Sequence, residues 1–135
     1  MVNGSIKSVV VLNAFFLFSG LAAQSQDLVE MSFIQTDGLV FSVKTQGDIL
    51  YLAEFRGFSS LFKSVDISNP EQPAVLDSFL TAGFITDFAL NSDYAYLSMA
   101  DNEFGLRILD IADPANIKEV HFLEGGESTG TFLAG

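Results

Sequence analysis

The sequence predicts an all-β fold of stacked four-stranded blades, and three observations carry that prediction. Short apolar runs rich in Phe, Tyr, Val, Leu and Ile alternate with clusters of Gly, Asn, Asp, Ser and Pro, the grammar of strands and turns. No stretch sustains helical periodicity. Above all, a block of about forty-five residues recurs with the same turns in the same order, a length that suggests propeller blades. A two-layer sandwich would also bury its central strands, but it does not by itself account for such a repeat.

The repeat is read most directly at its turns. Val65-Asp66-Ile67-Ser68-Asn69-Pro70 returns as Leu109-Asp110-Ile111-Ala112-Asp113-Pro114, 44 residues on (66 to 110). Asp48-Ile49-Leu50-Tyr51-Leu52 returns as Asp93-Tyr94-Ala95-Tyr96-Leu97, and Thr36-x-Gly38 as Thr81-x-Gly83, both displaced by 45 (48 to 93, 36 to 81). The displacement changes between Glu54–Ser60 and Met99–Gly105, which places a loop there, because a hairpin loop absorbs a one-residue difference without disturbing strand pairing.

Each repeat divides into four strands, named a to d. Strand a falls near Leu39 to Lys44 and Phe84 to Leu90, and strand b near Ile49 to Glu54 and Tyr94 to Met99. Strand c falls near Leu61 to Ile67 and Leu106 to Ile111, and strand d near Ala74 to Leu80 and Ile117 to Leu123. Gln46-Gly47-Asp48 and Asn91-Ser92-Asp93 suit tight hairpins, since these residues tolerate the left-handed backbone. At Asn69-Pro70 and Asp113-Pro114 a polar side chain can bond nearby backbone while Pro fixes one dihedral. Strand b of the first repeat, Ile49 to Ala53, is continuously apolar, as expected where sheets pack on both faces.

Gly105-Leu106-Arg107-Ile108-Leu109-Asp110-Ile111-Ala112-Asp113-Pro114, preceded by Asp93-Tyr94-Ala95-Tyr96-Leu97, closely resembles the LVIVD repeat. The first copy keeps Asp48, Tyr51, Leu52, Val65, Asp66, Ile67, Asn69 and Pro70. It replaces the glycine-leucine-arginine opening of strand c with Ser60-Leu61-Phe62-Lys63-Ser64, so its b-to-c corner is expected to differ. The resemblance covers about residues 29 to 133. It implies a β-propeller of the kind found in exported or surface-associated proteins, and it implies no reaction.

The N-terminus has a signal-peptide profile. Lys7 is the only charged side chain before Asp27 and precedes the apolar run Val9 to Leu21, which is too short and too interrupted by Asn13 and Ser19 for a span of about 20 residues. A signal helix over residues 1–23, cleaved after Ala23 or alternatively Ala22, leaves residues 24–135 as a partial propeller with no membrane span and a periplasmic, cell-surface or extracellular address. Within it, residues 29–34 read as an outer strand, 36–80 as blade one, 81–123 as blade two and 128–135 as the start of a further repeat. The expectation is a fragment whose blade faces need missing blades. The alternative is a short protein that self-associates to close a ring, since closure takes about 4 to 8 blades.

Charge and composition narrow the function. Seventeen acids against six bases give a net charge of −11, which repels phosphate backbones and anionic lipid. Without cysteine there is no disulfide, thiolate metal site or thiol nucleophile. The single histidine, His121, lies on an outer strand beside Val120 and Phe122 and suits packing or surface better than catalysis. Asp101-Asn102-Glu103 offers oxygen ligands for calcium but lacks the alternating spacing of a recognised loop, so a solvated acidic turn is favoured.

Asp66 and Asp110 could flank a substrate, but recurrence in every blade points to architecture. The same holds for Asp48, Tyr51, Asn69, Pro70, Asp93, Tyr96, Asp113 and Pro114. Lys63 and Arg107 occupy matching strand-c positions, each able to pair with a carboxylate on an adjacent strand or blade. The expected function is therefore a non-catalytic extracytoplasmic scaffold binding a protein or surface ligand and needing no cofactor. A propeller enzyme using loop carboxylates and a calcium-stabilised adhesion module are the alternatives.

Overall fold

The computed structural model describes residues 32–125 together with the backbone of a two-residue strand at Lys7–Ser8. The rest of the expected signal segment 1–23, the expected outer-strand residues 29–31 and the start of a further repeat at 128–135 lie outside the described residues. Strand β1 (Lys7–Ser8) pairs antiparallel with β2 (Ile34–Gln35). Among the described residues no helix is long and apolar enough to cross a membrane.

Eight further strands form two four-stranded antiparallel sheets. Blade one is β3 (Leu39–Gln46), β4 (Ile49–Phe55), β5 (Ser60–Asp66) and β6 (Ala74–Thr81). Blade two is β7 (Phe84–Leu90), β8 (Tyr94–Ala100), β9 (Gly105–Asp110) and β10 (Lys118–Glu124). In both sheets neighbours in space are neighbours in sequence, so each blade is a meander of hairpins. Strand positions agree with the sequence reading to within two residues at each end.

The repeat survives in the register. Leu52 faces Val43 and Lys63, and Leu97 faces Phe88 and Arg107. The change in displacement therefore falls in the loop between strands b and c, one residue longer in blade one. Each first strand carries a bulge at the same place, between Val40 and Ser42 and between Ile85 and Asp87. Such bulges bend a strand and raise its twist.

The core lies between the blades. Tyr51, Ala53 and Phe62 of blade one are buried against Ile85, Phe88, Ala95, Leu97, Met99, Leu109, Ile111 and Ile117 of blade two. Phe62 stacks on Tyr51 (centroids 5.6 Å apart) and meets Phe88 edge-on at 5.0 Å. Each such buried side chain contributes about 1.5–3 kcal/mol. Alternate residues of β4 point the other way, where Leu50, Leu52 and Val65 are buried with Ile34, Val40 and Ile67. This is why strand b reads as a continuous apolar run: both of its faces are covered.

Polar joints fix the angle between the blades. The Asp77 carboxylate accepts the Ile117 N–H at 2.7 Å, and the Ser64 hydroxyl donates to the Pro114 carbonyl. Near the first strands, the Ser42 hydroxyl donates to Asp87 at 3.1 Å and Lys44 lies 3.4 Å from the same carboxylate. Ser32 donates to the Pro70 carbonyl as Ser64 does to that of Pro114, so the segment before blade one docks on it as blade one docks on blade two.

Two glycines are demanded by different constraints. Gly105 has φ +143, and a Cβ there would lie 2.1 Å from the Leu123 carbonyl oxygen; Gly47 has φ +58 with open space around it. Gly105→Ala should lose about 2 kcal/mol or more in urea denaturation, from backbone strain and the clash with strand d. Gly47→Asn, which tolerates the left-handed region, should stay within about 0.5 kcal/mol in the same measurement.

Candidate functional site

The recurring polar residues are held by their own turns. The Asp66 and Asp110 carboxylates accept the N–H groups two residues on, of Ser68 (2.8 Å) and Ala112 (3.0 Å). Asn69 and Asp113 do the same for Glu71 (3.2 Å) and Ala115 (3.0 Å), each beside its proline, Pro70 or Pro114. The bonds from the Ser68 hydroxyl and N–H outweigh slight burial and hold the Asp66 carboxyl below its ordinary value. Asp48 and Asp93 contribute backbone carbonyls, which accept the N–H groups of Ile67 and Ile111 at 2.9 and 2.8 Å. Tyr51 is buried, which pushes its phenol up, whereas its counterpart Tyr96 is half-buried.

The opposite end of the blades, where strand b turns to c and strand d to the next a, has a different character. Thr36 and Thr81 donate to the Gly38 and Gly83 carbonyls at 3.2 and 2.9 Å, closing the d-to-a corners. A Cβ at Gly38 or Gly83 would strike the Phe55 or Ala100 carbonyl oxygen, at 2.1 and 2.7 Å. The expected difference in the b-to-c corner of blade one is present: the Ser60 hydroxyl accepts the Ile85 N–H and its carbonyl accepts the Thr81 hydroxyl, both at 3.2 Å.

Phenylalanines gather at this end. Phe41 meets Phe84 edge-on at 4.7 Å and Phe55 at 6.1 Å, and Phe55 meets Phe84 at 5.0 Å. Phe41 is 53% exposed; Phe58 and Phe104, in the two b-to-c loops, are 88% and 41% exposed. A loop-tip phenylalanine in water adds little to the core, and contiguous exposed apolar surface is a common feature of interaction sites.

The end of β4 also carries a charge cluster built on a buried carboxylate. Glu54 is fully buried; its carboxylate accepts Lys63 Nζ, Arg56 Nε (3.0 Å) and the Asp37 N–H (3.0 Å), and Arg56 also holds Asp37 at 2.8 Å. Burial disfavours the Glu54 anion, but the hydrogen bonds and charges of Lys63 and then Arg56 outweigh it and leave the carboxyl below its ordinary value. In blade two Met99 stands at the matching position, and Arg107 turns to Glu103 (2.7 Å) and Glu119. Its guanidinium lies over Phe122 at 4.7 Å and over Phe79 of blade one at 5.8 Å. Both matching cations thus find carboxylates on an adjacent strand or loop.

Of the calcium candidates, Glu103 is engaged by Arg107, Asp101 sits in a turn at φ 65, and Asn102 is exposed. Among the described residues no group of three or more His, Cys, Asp or Glu is placed to hold a metal. His121 is exposed on β10. Sequence reasoning missed Glu54, Arg56 and Asp37 as a set, and the aromatic end. A glutamate closing an otherwise apolar strand opposite a lysine-bearing one was the available signal for the first.

Removing one partner of a buried pair leaves an uncompensated charge, whereas removing both does not. Lys63→Met should cost about 3–5 kcal/mol in urea denaturation at neutral pH, and Glu54→Leu with Lys63→Met much less. Because the folded-state carboxyl is depressed, the stability it contributes is present above its ordinary value of 4.5 and lost as pH falls through the lower folded value. The fall in wild-type stability below that pH should therefore be shallower in the double variant.

The LVIVD repeat family matches residues 37–81 and 82–122, one match for each blade. No curated protein and no solved structure matches the chain. Two matched repeats, each folded as a four-stranded blade with its turn residues in equivalent bonds, place this chain in the LVIVD repeat family.

Proposed function

We propose that this chain is an exported binding scaffold and that the aromatic end of its blades is the binding surface. The observation that carries this reading is the gathering of Phe41, Phe55, Phe58, Phe84 and Phe104 at one end, with Phe58 and Phe104 presented by loops. Charged groups stand at the same end: Arg56 of the b-to-c loop with Asp37 of the preceding d-to-a corner in blade one, and Glu103 with Arg107 in blade two. Apolar rings together with charged groups match the anatomy of protein-recognition surfaces. The loops stand on a rigid double-sheet frame, which keeps the entropic cost of ordering them low.

No catalytic role is assigned in this reading. The recurring carboxylates Asp66 and Asp110 are each bonded to their own turn. The buried carboxylate Glu54 is consumed by two cations and a backbone amide.

The binding claim is checked by selecting a displayed random-peptide library on the immobilised chain, with a Phe58→Ser/Phe104→Ser variant as counter-selection. Apolar and aromatic peptides should be enriched by the parent and lost on the variant, whose melting temperature should be unchanged. Equal enrichment on both would overturn the aromatic end as the binding surface. Export is checked separately by N-terminal sequencing of the secreted product, which should begin at Gln24; retention of residues 1–23 would overturn it.

A further inference from the structure

The loop that carries Phe58 is tied down by more bonds than its burial would lead one to expect. Phe55 pairs with Ser60, and the Arg56 N–H donates to the Ser59 carbonyl at 2.8 Å, so the β4–β5 hairpin narrows to a two-residue tip, Gly57-Phe58. Gly57 has φ +87, and the first tip position of a tight hairpin is where such a backbone calls for glycine. The tip stands in water, with Phe58 88% exposed, so core packing does little to direct it. Its direction is set at its base.

Three side chains at that base close a circuit. Glu54 Oε1 accepts Arg56 Nε and the Asp37 N–H, both at 3.0 Å, and the Asp37 carboxylate accepts Arg56 Nη2 at 2.8 Å. The guanidinium thus joins the end of β4 to the corner before β3. An exposed pair such as Arg56 with Asp37 would hold weakly alone, but the other bond of Arg56 goes to a carboxylate with no exposure, where solvent screens little. Charge balance does not demand the second cation, since Lys63 already pairs with Glu54. Nor does the blade demand the carboxylate, since Met99 stands fully buried at the matching position of blade two. The b-to-c loop of that blade, residues 101–104, contains no lysine or arginine. What the additional cation of blade one accomplishes is to fasten the loop.

We propose that Glu54, Arg56 and Asp37 form a lock that holds Phe58 in one posture before a partner arrives, with Arg56 as the positioning residue. Its part in binding rests on the reading of the aromatic end as the binding surface. A contact residue that is already ordered binds without the entropic cost of ordering it. The planar guanidinium reaches both carboxylates through separate nitrogens, so Arg56→Lys keeps the charge and loses the lock.

The sequence has no tryptophan, so Phe58→Trp in the full chain places a single one at the tip. Its time-resolved fluorescence anisotropy should show little nanosecond motion beyond overall tumbling. Adding Arg56→Met or Arg56→Lys should introduce a large fast component, with far-UV circular dichroism unchanged because Lys63 still pairs with Glu54. Phe104→Trp, in the loop of blade two, should read the same with and without Arg56→Met. A tip equally mobile with and without the lock, or loosening at both tryptophan positions alike, would overturn the proposal. Peptides enriched by the parent chain in the library selection should bind Arg56→Met about three- to tenfold more weakly, and unchanged affinity would overturn the positioning role. A tip that is rigid only with Arg56, on a chain that enriches no peptide, would support the lock and sink the binding reading, so the two failures are separately visible.

Discussion

Everything in this chain depends on the burial of one blade's face against the next. A lone four-stranded sheet has two broad faces and little to put between them, and here the aromatic wedge of Tyr51, Phe62 and Phe88 fills the gap. Hydrophobic contact is non-directional, so it does not by itself set how the sheets are turned. The Asp77–Ile117 and Ser64–Pro114 joints, with Ser42 and Lys44 on Asp87, supply that direction at opposite edges of the interface. Packing gives the stability and the polar joints give the angle.

Much of this was legible in the sequence, because the same local solution is written twice. Asp66/Asp110 and Asn69/Asp113 bond within two residues of themselves, so the turn is encoded where it stands. The shift from 45 to 44 could be located because strands b and c must stay in register while a loop need not. What was not legible depends on which side of a sheet a residue faces and on what comes back beside it. Glu54 lies in an apolar strand and meets Lys63 only through the β4–β5 register; Arg107 reaches Phe79 only when the blades are stacked. Phe41, Phe55 and Phe84 read as ordinary strand residues, and only the topology brings their rings to one end.

The matching cations show two solutions to one problem. A strand-c lysine or arginine inside a blade needs counter-charge, since an unpaired buried ion costs several kcal/mol. Blade one supplies it from within the sheet through Glu54. Blade two has Met99 there and draws its carboxylates from the b-to-c loop and from strand d, while the aromatic faces of Phe79 and Phe122 cover the guanidinium. The planar, weakly hydrated guanidinium suits that sandwich, and a lysine ammonium would not fill it equally. The exchange of Lys63 for Arg107 is thus matched by the exchange of Glu54 for Met99.

The outer strands of both blades interrupt their pairing at a bulge, opposite Ser64–Val65 in β6 and between Glu119 and His121 in β10. An outer strand is a row of unpaired amides and carbonyls that would template another strand. The bulge twists that row out of line, and in β10 Lys118, Glu119 and Glu124 add charge along it. Each blade is thereby limited to a width of four strands, and a protein with so many apolar strands is guarded against the edge-to-edge accretion that leads to fibrils.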